Sequence, residues 1–308
     1  MSFLRLIRLF NLVIITLTMI GIADYLLIMN NFQKVIFNPF HYGLLILSTV
    51  LIAAAGNMIN DYFDIKADRV NKPERVIVSK YIKKRWVIIL HWCFNALAFI
   101  IGIYLSYRYK SLVFAFVHLL SINMLWFYST YFKKKLLLGN GMIGLLTALV
   151  PLLSVWFFTV LNESNLPYSR YHEDTWSYFL NYNFVLLLAI CAGIQNLGRE
   201  IVKDAEDIEG DKLIHVNSLA IKFGSRNAII LALGFIQLST ICGLLFFWMN
   251  KEPLNGYEKY FLMVSAAING IIFIAYFFNK NIPPRFIHLA LKLSMFFGLS
   301  SLFSVYFL

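Results

Sequence analysis

The chain has 308 residues, of which 60% are hydrophobic, 17% aromatic and only 14% charged, and its formal net charge is +11. Soluble domains carry about 25% charged residues, so these proportions exclude a soluble globular protein and predict an all-α integral membrane protein. The positive balance calls for no nucleic acid, because basic loops beside anionic membrane lipids are the ordinary arrangement.

Runs of about 20 apolar residues, enough to cross a ~30 Å hydrocarbon core as helix, recur along nearly the whole length. Nine spans are expected, at 10–29, 41–60, 86–107, 111–131, 140–161, 180–199, 227–249, 258–278 and 286–307. The first run is long and is followed by no small-residue cleavage site, which predicts a retained span rather than a signal peptide. Lys and Arg are costly to translocate in short loops, which orients the chain with its N-terminus in the cytoplasm. Twenty of the 27 basic residues then face the cytoplasm: Arg5 and Arg8, those from Lys66 to Arg85, Lys133 to Lys135, those from Arg199 to Arg226, and Lys280 with Arg285. The opposite side carries Lys34, Arg108, Lys110, Arg170, Lys251 and Lys259, and Lys292 lies inside the last span. Cys93, Cys191 and Cys242 fall within spans and show no ligand spacing, so neither a disulfide nor zinc is expected. No linker, low-complexity tract or repeat divides the chain, and a single domain over 1–308 is expected.

Acidic residues are few, yet ten of the 16 fall in two patches, residues 60–74 and 199–211. Clustered carboxylates repel, by roughly 3 kcal/mol per pair at ~5 Å and an effective dielectric of about 20. A hard divalent cation such as Mg²⁺ relieves that cost, because it prefers carboxylate oxygen and completes its shell with phosphate and water. Positions four apart share a helix face, so Asn60, Asp64 and Asp68 form an acceptor ladder climbing out of the second span, with Asp61 offset beside it. Arg199, Lys203, Asp207 and Asp211 repeat the spacing after the sixth span, with Asp204 three residues before Asp207. Cations come first in this second ladder and carboxylates follow. A ligand that needs both metal ions and positive donors is a polyanion, and a diphosphate fits, held by Mg²⁺ on the carboxylates and directly by Lys and Arg. Ordinary solvated interfacial charge would account for one such ladder more readily than for two on one face.

The first segment, with Arg69, Asn71, Arg75 and Ser79 after it, resembles the Asn-x-x-x-Asp-x-x-x-Asp motif of the intramembrane UbiA-type prenyltransferases. The second, Arg199 to Asp211 followed by Asn217-Ser218-Leu219-Ala220 and Gly224, is similar to the subgroup that makes digeranylgeranylglyceryl phosphate. The resemblance covers nearly the whole chain and implies nine helices around a central cavity, with transfer of a prenyl group from its diphosphate to a membrane-associated acceptor. That acceptor would be a prenylglycerol phosphate, with an aromatic acceptor such as 4-hydroxybenzoate as the rival. The metal set it implies is Asn60, Asp61, Asp64, Asp68, Asp204, Asp207 and Asp211. Asn60, Arg75, Arg199 and Lys203 would bind the diphosphate, and Asp64, Asp68, Lys203, Asp207 and Asp211 would carry the chemistry. One stretch departs from the pattern: where many relatives read Arg-Pro-x-Pro-Ser-Gly, this chain has Arg75-Val76-Ile77-Val78-Ser79-Lys80, without the rigid turn residues. A cation transporter would instead bury its acids near the midplane.

Several single residues invite a role. Asn57 precedes Asn60 on nearly the same face, Tyr128, Tyr131 and the lysine run Lys133 to Lys135 fall at the cytoplasmic end of the fourth span, and Asp24 lies in the first span toward the other side. His91, His118 and His288 are spaced for no metal, and structural roles are expected for them.

Overall fold

A computed structural model describes residues 2–29, 37–165, 175–249 and 257–307, and among these nine helices are long and apolar enough to cross a membrane. A short α1 (Ser2–Leu6) precedes α2 (Leu9–Met29) and α3 (Pro39–Phe63), which continues after one residue into α4 (Ile65–Asn71). Then follow α5 (Lys84–Tyr109), α6 (Val113–Thr130) and α7 (Leu138–Asn165). The long α8 (Thr175–Glu206) also continues after one residue, into α9 (Ile208–Leu213), and α10 (Leu219–Phe223) leads to α11 (Ser225–Met249). The chain closes with α12 (Tyr257–Phe278), α13 (Pro284–Ser300) and a 3₁₀ turn over Ser301–Phe307. Lys34, Arg170 and Lys251 lie outside the described residues.

Local chemistry accounts for several boundaries. Asn38 starts α3 by accepting the backbone N–H of His41 on its side chain at 3.1 Å, ahead of Pro39 at the first helical position, where a missing N–H costs nothing. Eight expected spans match within about three residues. The sixth runs on to Glu206, because the backbone ladder ignores the charges that end the apolar run at Arg199. The ninth tightens after Ser300 into the 3₁₀ turn, which packs on α2 and α12.

The helices pack as a ring, with α2 beside α3 and α7, α7 on α8, α8 on α11 and α13, and the C-terminal turn returning to α2. Lipid is as apolar as leucine, so close contact between spans depends on small residues. At the α7–α8 crossing a Cβ added to Gly144 would stand 2.8 Å from the carbonyl oxygen of Gly193. Two histidines in the spans find partners: Nε2 of His118 meets Ser48 Oγ at 2.7 Å, and Nδ1 of His91 meets the Ala55 carbonyl at 2.9 Å. Both histidines are structural, as expected. Asp24 accepts from the Tyr306 hydroxyl at 2.5 Å, at the end of the bundle away from both acidic segments.

Candidate functional site

Both acidic segments break their helix at a motif aspartate without losing register. Asp64 is not in α3 or α4, yet its N–H donates to Asn60 O at 2.9 Å and its carbonyl accepts from Asp68 at 2.9 Å. Asp207 does the same between α8 and α9, donating to Lys203 O at 3.0 Å and accepting from Asp211 at 3.1 Å. The four-residue ladders therefore survive both breaks, and α4 and α9 pack against each other.

A side-chain clamp fixes that packing. Asn71 donates through Nδ2 to the Asp207 carbonyl at 2.9 Å and accepts the Gly210 N–H on Oδ1 at 2.8 Å. Only glycine fits opposite it, since a Cβ on Gly210 would lie 2.4 Å from Asn71 Nδ2 and 2.5 Å from Ala67 O. Next to the clamp, Lys72 Nζ pairs with Asp207 Oδ1 at 2.6 Å. The two halves, over 130 residues apart in sequence, are thus one site.

Each motif residue has a defined neighbour. Lys133 of the loop after α6 binds Asp64 Oδ2, which also accepts from Asn60 Nδ2 at 2.8 Å. Asp61 turns aside to Arg8 at 2.7 Å and Asp204 to Asn140 at 2.9 Å. Buried Glu200 takes Arg199 at 2.5 Å on one oxygen and Lys203 at 3.3 Å on the other. His288 of α13 lies 3.8 Å from Glu206 and its Nε2 accepts from Arg199 at 3.5 Å. The side chain of Arg75 lies outside the described residues. Burial is the largest cause that pushes the Asp68 carboxyl up to about 6, with Asp64 and Asp61 adding to it. Asp211 is also pushed up to about 6, chiefly by burial, with Lys133 opposing and Asp207 and Asp64 adding. Burial works against the charge on Lys133, but Asp64, Tyr128 and Asp211 outweigh it and hold the ammonium above the usual lysine range.

These residues suit a hard divalent cation. Their donors are all oxygen, the carboxylates of the two halves repel one another, and Asn60 Oδ1 is a buried acceptor with no hydrogen-bond partner. Among the described residues no three Asp, Glu, His or Cys side chains stand close enough together to hold a metal ion between them. A cation here would leave coordination positions to water and phosphate, as Mg²⁺ does.

Below the site lies a cavity of about 1030 Å³, above the usual range for small-molecule pockets. Asn60, Tyr128, Arg199, Glu200 and Lys203 line one end, and Ile22, Leu153, Phe247 and Leu302 line the other. Asn57 lines it too and donates to Ile7 O at 3.0 Å. Asp64, Asp68, Asp207 and Asp211 are not in the lining, so the carboxylates stand beyond the mouth of an apolar chamber.

Sequence reasoning missed Arg8, Lys72, Asn140, Glu200 as an anchor, and His288. Arg8 and Asn140 have no local signal, because their partners lie 53 and 64 residues away. Glu200 was visible as a carboxylate between two cations at i−1 and i+3. The run Lys133 to Lys135 divides in the fold: Lys133 turns inward to Asp64, while Lys134 and Lys135 are exposed and Lys135 lies over the ring of exposed Tyr131 at 4.8 Å.

The model of the UbiA prenyltransferase family matches residues 13–299. A digeranylgeranylglyceryl phosphate synthase of Methanosarcina mazei is 32% identical over 258 residues, 83% of this chain and 79% of that one. Its counterpart from Methanocaldococcus jannaschii is 31% identical over 87% of this chain and 93% of its own. A solved structure from work on digeranylgeranylglyceryl phosphate synthase in membranes superposes with a TM-score of 0.66 at 26% identity, covering 100% of this chain and 98% of that one. A UbiA homolog from Archaeoglobus fulgidus, bound to DMAPP and Mg²⁺, shares the fold with a TM-score of 0.60 at 16% identity over 99% of each chain.

Proposed function

The chain belongs to the UbiA prenyltransferase family, and on that footing we propose that it transfers a polyprenyl group from its diphosphate to a prenylglycerol phosphate such as (S)-3-O-geranylgeranylglyceryl phosphate, with Mg²⁺. The observation that carries this reading is the clamped pair of carboxylate ladders at the mouth of a large apolar cavity. The similarity to digeranylgeranylglyceryl phosphate synthases supports the acceptor. We further propose that residues 1–308 act as one polytopic domain in the cell membrane, with the site on the cytoplasmic side, where the basic loops favour it.

Asn60, Asp64, Asp68, Asp207 and Asp211 would hold Mg²⁺, with Asp61 and Asp204 exchanging their present partners to join them. The bound metal supplies charge neutralisation for the departing diphosphate. Lys203, one turn before Asp207, Arg199 and Arg75 bind the phosphate oxygens. Lys203 stabilises negative charge as the allylic C–O bond breaks and its electron pair leaves on the diphosphate, commonly the largest catalytic contribution. The allylic carbon becomes cation-like, the acceptor hydroxyl oxygen bonds to it, and the hydroxyl proton is released. The apolar chamber holds the isoprenoid tail and excludes water that would capture the cation.

The test is purified protein with labelled geranylgeranyl diphosphate and Mg²⁺, offered geranylgeranylglyceryl phosphate in one tube and 4-hydroxybenzoate in another. Product in the first tube alone is expected. Product only in the second would transfer the reading to an aromatic acceptor, and product in neither would overturn both.

A further inference from the structure

Lys292 sits inside a membrane span, where an ionisable side chain by default marks a functional path. It lies eight residues into α13, about 12 Å along the helix from Pro284 at 1.5 Å per residue, and it lines the cavity. His288 of α13 lies against α8 between Arg199, at 3.5 Å, and Glu206, at 3.8 Å. α8 runs toward the mouth and α13 away from it, so four residues back from Arg199 and four on from His288 each lie one helical turn deeper than the residue they are counted from. Those positions are Gln195 and Lys292, and both line the cavity. Arg199, Gln195 and Lys292 thus place donors along the α8–α13 side of the cavity, with Gln195 about one helical turn, ~5.4 Å, deeper than Arg199 and about two turns deeper than Lys203. Charge in the lining is lopsided as well: among the described residues Arg8, Arg199, Lys203, Lys259 and Lys292 line the chamber with Glu200 as the single acid.

We propose that Lys292 and Gln195 form the subsite for the acceptor's phosphate monoester, below the diphosphate subsite to which Arg199 and Lys203 belong. The inference rests on the prenylglycerol phosphate reading above. In such an acceptor the nucleophilic hydroxyl and the phosphate sit on neighbouring carbons, so the phosphate must stand within a few ångströms of the reacting carbon. Donors one turn below Arg199, the deeper of the two α8 cations assigned to the diphosphate, meet that requirement. A lysine at this position can lay its stem along apolar wall and extend its ammonium toward the N-terminal, mouth end of α13.

The test uses full-length protein in detergent with Mg²⁺, two acceptors (geranylgeranylglyceryl phosphate and its dephosphorylated alcohol) and the variants Lys292→Gln, Lys292→Arg and Gln195→Leu. Lys292→Gln should raise KM for the phosphorylated acceptor at least about tenfold, the usual scale for a hydrogen bond to a charged group. KM for geranylgeranyl diphosphate should change by less than about twofold, as for an independent site. Preference for the phosphorylated acceptor over the alcohol should fall by the same factor, Lys292→Arg should restore most of it, and Gln195→Leu should shift it in the same direction. Equal effects on both substrates, or none, would overturn the assignment while leaving the reaction itself intact. Equilibrium binding of labelled geranylgeranylglyceryl phosphate, with an unreactive thiolodiphosphate analogue present, separates the two readings. Lys292-dependent binding without turnover would uphold the subsite and sink the reaction, and absence of both binding and turnover would sink the two together.

Discussion

Asp61 and Asp64 meet their cations from far along the chain, Arg8 at a separation of 53 and Lys133 at 69, whereas Glu200 is flanked by Arg199 and Lys203 of its own helix. The first segment is therefore balanced only once the ring of helices has closed. The second carries a balanced core of its own, and its outer aspartate then leans on the first segment through Lys72 and Asn71. Acids and bases of unlike origin end at one mouth, which makes the pair interdependent: each half supplies what the other lacks.

If both halves hold the metal, the largest effect comes from removing one carboxylate from either. Asp64→Ala and Asp207→Ala should each abolish turnover while the protein stays monodisperse in detergent, and retention of most activity by either variant would strike that residue from the ligand set. Full activity in excess chelator would end the metal mechanism for both.

Lys203 tests the locally balanced half. Lys203→Ala should lower kcat ~100- to 1,000-fold with a smaller rise in KM for the prenyl diphosphate, since only contacts stronger in the transition state speed the reaction. Lys203→Arg should recover part of the loss, because charge is kept while donor geometry changes. A raised KM with normal kcat would reduce Lys203 to a substrate tether.

The bridge between the halves comes next. Asn71→Ala removes both clamp bonds, and Gly210→Ala forces a Cβ against Asn71 and Ala67, so each should weaken the Mg²⁺ dependence about 10- to 100-fold, the usual cost of losing an outer-shell partner. Mg²⁺ titration of activity reads this directly. Unchanged half-saturation would mean that the two ladders hold their spacing without the clamp.

Acidity gives the smallest effect. The carboxyls of Asp68 and Asp211 titrate at about 6 against 3.8 for an ordinary aspartate, so metal-free folded protein holds extra protons between those values. Folding stability from these groups is accordingly lost as pH rises through that window. A cation must displace the protons, so metal affinity should fall as pH drops below 6. Between pH 7.5 and 5.5 the loss should be about fourfold if one of the two coordinates and about sixteenfold if both do. Binding of Mn²⁺ followed by electron paramagnetic resonance would measure it, and a flat profile would remove Asp68 and Asp211 from the site.

Composition and apolar periodicity determined most of the architecture, because a bilayer forces each crossing segment to satisfy its own backbone as a helix of about 20 residues. The helical repeat likewise determined that Asn60, Asp64 and Asp68 share a face, as do Lys203, Asp207 and Asp211, since four-residue spacing survives even the breaks at Asp64 and Asp207. Tertiary structure alone decided which charge answers which. Nothing in the run Lys133-Lys134-Lys135 marks the first lysine as the partner of Asp64, nor does any local pattern send Arg8 to Asp61 or Asn140 to Asp204. Such pairings depend on where separate helices end in space, and a Coulomb or hydrogen-bond contact is set by distances of a few ångströms that periodicity along one helix does not encode. The same holds for the cavity, whose depth follows from crossings such as that of Gly144 with Gly193, where the closeness of two backbones rests on a missing Cβ in each.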